Sequence, residues 1–212
     1  MATGETGEVQ PLEVRDPDVR LMLQIRDDVP GAFEVMVERY QHRLVGVLAH
    51  LVGGRLEEAE DLTQDVFLRI YRARKGYKPK AKFSTWLFTI ANNLAMNHLR
   101  GKGRAPTLAT ESQGARSFGL RPLEERAMAR DGTPSAQMRQ VELSDVVREA
   151  LGVLGEDQKL AVLLNKFEDM SYADIAEVMG RSEAAVKSLL ARARNQLREQ
   201  LEPYLKTGQR AT

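Results

Sequence analysis

Apolar residues recur at three- and four-residue steps through the first half of the chain: Phe33, Val37, Tyr40, Leu44, Val47, Leu48 and Leu51. That period puts them on one face of a helix, which Gly53-Gly54 would end. Ala59, Leu62, Val66, Phe67 and Ile70 predict a second helix, stopped by Gly76 and Pro79. Ser84 or Thr85 is placed to cap a third, with Trp86, Leu87, Ile90, Ala91 and Leu94 turned inward. A shorter apolar set, Leu21, Leu23 and Ile25, precedes these, and residues 1 to about 17 show no period and read as a tail. The set predicts one helical bundle over residues 18–101.

Glycines and prolines then interrupt every pattern, from Gly103 and Pro106 to Gly132 and Pro134. A compact domain rarely holds so long an irregular stretch, so residues 102–140 read as a flexible linker, with helical potential only at Leu123–Met128. The period resumes with Leu143, Val146, Val147, Ala150, Leu151 and Leu154, followed by Leu160, Leu163, Leu164 and Phe167. Ser171 with Asp174 three positions on has the form of a capping box, opening a helix with Tyr172, Ile175, Ala176 and Met179 inward and Gly180 at its end. Ser182 starts a last helix, with Val186, Leu189, Leu190, Ala193, Leu197 and Leu201 on its apolar side. No alternating strand pattern of useful length appears. The predicted fold class is all-α: two small helical domains, 18–101 and 141–202, joined by a linker.

Composition narrows the chemistry. The chain has 212 residues and no cysteine, which excludes disulfides, thiolate metal sites and cysteine catalysis. No apolar run approaches a membrane span, and the polar N-terminus MATGETGEVQPLEVRDPD shows no secretory signal, so a cytoplasmic location is expected. The net charge of +1 says little until it is divided along the chain. Residues 1–65 carry 6 basic and 14 acidic side chains, and residues 66–110 carry 10 basic and none acidic. Residues 144–180 carry 3 against 8, and residues 181–212 carry 7 against 3. Basic stretches suit phosphates; acidic ones suit a basic protein surface or simply solvent.

Ser171–Arg194, SYADIAEVMGRSEAAVKSLLARAR, has the form of a helix-turn-helix, whose second helix lies in the major groove with its N-terminal residues near base edges. Arg181, Ser182, Glu183, Ala184, Ala185, Lys187 and Ser188 would then sit at the groove end, and Arg192 and Arg194 nearer phosphates. Ala184 and Ala185 could meet thymine methyls, and Glu183 could accept from a cytosine amino group. An ordinary helical hairpin with a solvated basic face has the same spacing. The stretch Lys75–Arg100 interleaves bases with Tyr77, Phe83, Trp86 and Phe88, then presents Asn92, Asn93, Asn97 and His98. Aromatics beside cations suit single-stranded nucleic acid, since unpaired bases stack on π faces. The same aromatics also suit a core, and at least half are expected there.

Three segments in register carry a resemblance: Asp61-Leu-Thr-Gln64-Asp-Val-Phe67; Phe83-Ser-Thr-Trp86-Leu87 with Ile90-Ala91-Asn92-Asn93-Leu94; and Ser171-Tyr172, Ile175-Ala176, Ala185-Val186-Lys187-Ser188 and Arg192-Ala193-Arg194. Together they resemble bacterial sigma factors of the extracytoplasmic-function (ECF) group, over about Asp18 to Leu201. The resemblance implies a factor that binds RNA polymerase core and recognises −35 and −10 promoter DNA. Residues 18–101 would be sigma domain 2 and residues 141–202 sigma domain 4. Glu60, Asp61, Gln64 and Asp65 would engage the polymerase, with Phe67 in the core. Tyr77, Lys78, Lys80, Lys82, Phe83, Trp86, Asn92, Asn93, Asn97 and Arg100 would serve the −10 element, the Gly76–Phe83 loop holding a flipped-out base. The Ser182–Arg194 helix would read the −35 element.

Control by an anti-sigma factor is also implied, as are monomeric behaviour outside the polymerase and the absence of membrane insertion, metal or cofactor. The family often has Arg at the positions of Asn92 and Leu189 and Asp at Asn97, so its promoter preferences do not transfer. The alternative place for Leu189 is the core. A free-standing helix-turn-helix regulator is the alternative, but it leaves residues 61–100 without a role. An enzyme is disfavoured: His42, His50 and His98 form no ligand pattern, and no P-loop or nucleophile elbow is present.

Overall fold

The computed structural model describes residues 15–102, 143 and 145–207. The tail before Arg15, the linker beyond Lys102 and the helical potential at Leu123–Met128 lie outside the described residues. Helices account for nearly all regular structure among those residues, with no strand. They are α1 (Pro17–Arg26), α2 (Ala32–Leu51), α3 (Leu56–Ala73) with a 3-10 turn at Arg74–Gly76, and α4 (Phe83–Lys102). The second half has α5 (residues 145–152), α6 (Glu156–Lys166), α7 (Tyr172–Met179) and α8 (Glu183–Thr207).

Asp16 organises the start of the bundle. Its Oδ1 accepts from the Asp18 amide at 2.8 Å, capping α1, and its Oδ2 accepts from the Phe83 amide at 2.9 Å, at the start of α4. One carboxylate thereby satisfies orphan donors on two helices and adds favourable charge at both positive ends. Ser84 and Thr85 consequently fall in the first turn of α4 rather than at its cap. Tyr40 donates to Asp18 Oδ2 at 2.5 Å, and Arg39 also pairs with Asp18. This ties α2 to α1.

The α2 helix packs against α3, and α4 closes the first module on both. Val19, Met22, Met36, Tyr40, Leu44, Leu48, Val66, Ile70, Phe83, Leu87 and Ala95 are essentially inaccessible in this core. Gly53 and Gly54, at φ 75° and 83°, turn the chain between α2 and α3 in a conformation that side-chain-bearing residues resist. In the second module α6, α7 and α8 pack mutually. The two modules also touch: α6 lies against α2, and α7 against α4. Burial shows the consequence. Leu160, Ala161, Val162, Leu163 and Leu164 are five consecutive buried residues, so α6 is covered on more than one side.

Candidate functional site

Three surfaces gather the residues singled out above. On α3, Asp61, Gln64 and Asp65 are exposed, Glu60 is half-buried, and Phe67 is in the core. Helical spacing continues this face to Leu68 and Tyr71, which are 49% and 44% exposed. Sequence reading missed Leu68, although the same three- and four-residue steps that joined Asp61 to Gln64 and Asp65 reach it. Tyr71 is held by Phe33, with ring centroids 5.0 Å apart, and by the Arg74 guanidinium, 3.8 Å from its ring centre. The face is acidic at one end and apolar at the other.

The second surface is the loop before α4 and the outer side of that helix. Tyr77 and Phe83 are buried, with Trp86 beside both at centroid distances of 5.0 and 6.0 Å. Phe83 also meets Tyr40 at 5.3 Å. The aromatic rings therefore anchor the loop, while Lys78 and Lys80 are exposed on it and Lys82, also exposed, turns its ammonium to Asp174 of α7. Further along, Asn93, Asn97 and Arg100 are exposed, and Arg100 Nη2 donates to Asn97 Oδ1 at 3.0 Å. The residues grouped together in the sequence thus divide by depth. Six carry exposed polar groups, Trp86 and Asn92 are half-buried, and Tyr77 and Phe83 present no free ring face in this arrangement.

The third surface belongs to α7 and α8. Ser171 Oγ accepts from the Asp174 amide at 3.2 Å while the Ser171 amide donates to Asp174 Oδ2 at 3.3 Å, the reciprocal capping box expected from the sequence. Gly180, at φ 60° and ψ 39°, ends α7 in the left-handed region. Ser182 Oγ accepts from the Ala185 amide at 3.2 Å, so α8 starts where its cap predicts. Ser182, Glu183, Ala184, Lys187 and Ser188 are exposed on its first turns, with Ala185 half-buried. Arg181 is tied to Asp157 at 2.5 Å and Arg194 to the Tyr172 hydroxyl at 3.1 Å. Lys187 and Arg192 are exposed and make no ion pair with another described residue. Leu189 is half-buried and packs on the core, which accounts for an apolar residue at that position.

The modules meet between these surfaces. Lys82 Nζ donates to Asp174 Oδ2 at 2.8 Å, and Thr85 Oγ1 to Asp174 Oδ1 at 3.2 Å. Asn92 Nδ2 reaches the Val178 carbonyl at 3.4 Å, and Arg43 Nε donates to Glu168 Oε2 at 2.7 Å. Partial burial pushes the Asp174 carboxyl upward, but hydrogen bonds from Lys82 and Ser171 outweigh it and hold the group below its ordinary value. Tyr40 moves the other way, its hydroxyl raised by burial and by the Asp18 carboxylate. No cluster of three or more metal-ligating side chains occurs among the described residues. No helix among them is long and apolar enough to cross a membrane.

The described residues thus form two helical modules, the second built on a helix-turn-helix, and both carry exposed cations. Sigma-70 region 2 matches residues 36–105, and Sigma-70 region 4 matches residues 144–197. The chain is 33% identical over 199 residues to the RNA polymerase sigma-H factor of Pseudomonas aeruginosa, covering 91% of this chain and 97% of that one. It is 31% identical to the ECF RNA polymerase sigma-E factor of Haemophilus influenzae, over 89% of this chain and 97% of the relative. Among solved structures, CnrH in complex with the cytosolic domain of CnrY aligns with a TM-score of 0.61 at 23% identity, over 89% of this chain and 99% of that one. RpoE of Bartonella quintana, in complex with the anti-sigma factor NepR, aligns at 0.57 and 23%, over 81% and 98%. The chain belongs to the ECF group of RNA polymerase sigma factors. It is a transcription initiation factor.

Proposed function

We propose that this chain brings RNA polymerase core to promoters, with residues 18–101 acting as sigma domain 2 and residues 141–202 as sigma domain 4. The observation that carries the proposal is the segregation of surfaces: an acidic face on α3 and separate cationic faces on the α4 loop and on α8. Asp61, Gln64 and Asp65, extended by Leu68 and Tyr71, suit a basic protein surface with an apolar margin. Lys78, Lys80 and Lys82 would hold the backbone of the −10 strands, with Asn93, Asn97 and Arg100 along the duplex edge. Trp86 is the ring nearest that surface for a displaced base, and Tyr77 and Phe83 support the loop from beneath. On α8, Ser182, Glu183, Ala184, Lys187 and Ser188 would face −35 base edges, with Arg192 on phosphate.

Strand opening of this kind needs no covalent step by the factor. Pockets that trap unstacked bases offset the few kcal/mol, on the order of one base's extrusion, that opening costs. An anti-sigma factor is a further proposed partner, in keeping with the complex of RpoE with the anti-sigma factor NepR to which the fold is similar. Transcription from a genomic promoter library, using core polymerase with and without the protein, tests the reading. Discrete new start sites on linear DNA are expected. Failure to bind core polymerase would end it.

A further inference from the structure

The contact between α7 and α4 involves Lys82, proposed above to hold −10 DNA, and Asn92, which the sequence also set beside it. Lys82, still 54% exposed, gives its ammonium to a carboxylate that is only 15% exposed. Thr85, fully buried, gives its hydroxyl to the other oxygen of that carboxylate. An anionic group held by a lysine and a hydroxyl beside a helix N-terminus is how proteins hold a phosphate. Asn92 adds a second sign that this contact is not the residue's best environment. Its Oδ1 is buried without a hydrogen-bond partner among the described residues, and its amide reaches the Val178 carbonyl only at 3.4 Å. A buried orphan acceptor costs free energy that separation of the modules would return.

We propose that Asp174 occupies the place of a −10 backbone phosphate at Lys82 and Thr85, so that docking of α7 on α4 and binding of −10 DNA exclude one another. The helix-turn-helix domain thereby acts as an intramolecular competitor of the first module's DNA surface. The Arg43–Glu168 pair holds the same docked state from the other end of the interface. DNA, offering several phosphates in a row, displaces a single carboxylate, and the displaced module is then free to reach a separate DNA element. The proposal rests on the promoter reading of Lys82.

The test uses the full chain, which has no native cysteine, with dyes on Glu38→Cys in α2 and Glu199→Cys in α8. Energy transfer reports docking, and anisotropy reports binding of a 12-nucleotide random-sequence single-stranded DNA at low salt. Asp174→Asn removes the charge but keeps an oxygen for the Ser171 amide. Glu168→Gln weakens the same interface without touching Lys82. Both variants should lower energy transfer in the free protein and tighten the oligonucleotide about three- to tenfold, the scale of one partly exposed charged contact. Adding Lys82→Ala to Asp174→Asn should abolish that gain. Lowered transfer with unchanged DNA affinity in both variants would overturn the competition while leaving the promoter reading intact. A Lys82→Ala, Asp174→Asn protein that binds DNA as tightly as Asp174→Asn alone would instead remove the promoter reading of Lys82, and this proposal with it.

Discussion

Arg43 on α2 and Glu168, two residues beyond α6, are joined across the module boundary, Nε to Oε2 at 2.7 Å. The Glu168 side chain is fully buried and that of Arg43 is 23% exposed. Burial disfavours the guanidinium charge, yet the Glu168 carboxylate outweighs it and raises the Arg43 pKa. Arg43→Ala strips a cation from a buried carboxylate. The expected cost is about 2 kcal/mol, below the range for a fully buried pair because the modules can separate and let Glu168 hydrate. Thermal unfolding by circular dichroism should show a lower and broader transition. An unchanged melting curve would refute the assignment.

The turn of the helix-turn-helix depends on two local devices. Ser171→Ala removes the cap of α7 and should cost about 1 kcal/mol. Gly180→Ala forces a side chain into the left-handed region and should cost a similar amount, roughly 1 kcal/mol. Urea denaturation measures both. Equal stability of Gly180→Ala and wild type would mean that the turn does not use that conformation.

Lys187 and Arg192 are two exposed cations of α8 that form no ion pair with a described residue. Lys187→Ala and Arg192→Ala should each weaken promoter binding while sparing core-polymerase binding. Wherever the residue meets a phosphate, the slope of log K against log salt should fall by about 1. Parallel loss of polymerase binding would point to misfolding instead.

The pH dependence follows from Asp174. Its folded-state pKa is lowered, so its contribution to docking is complete above the unfolded carboxylate value and is lost as pH falls through the lowered one. The difference in energy transfer between wild type and Asp174→Asn should therefore be flat from neutrality down to roughly pH 4 and shrink below it. A difference that grows on acidification would have the wrong sign.

The helices were legible because each buries one stripe, and a stripe is a local pattern. Ser171, Asp174 and Gly180 were legible for the same reason: caps and turns are settled within a few residues. Local pattern also separated Asp61, Gln64 and Asp65 from Phe67 one face away. It failed where the partner lies far along the chain. Val178 and Thr85 are buried, and Met179, expected inside, is only partly so, because α7 meets α4 on a side that its own period does not mark. The depth of Tyr77 and Phe83 was equally invisible, since an aromatic beside lysines reads the same whether it stacks on a base or on Trp86.

The two helical modules, the helix-turn-helix and the distribution of charge are already written in the chain, since each depends on neighbours within a turn or two. The sharing of Asp16 by two helix starts, the covering of α6 on more than one side and the meeting of Asp174 with Lys82 arise only once the chain has folded. Those contacts join residues dozens of positions apart, and no periodicity records which carboxylate a distant lysine will meet.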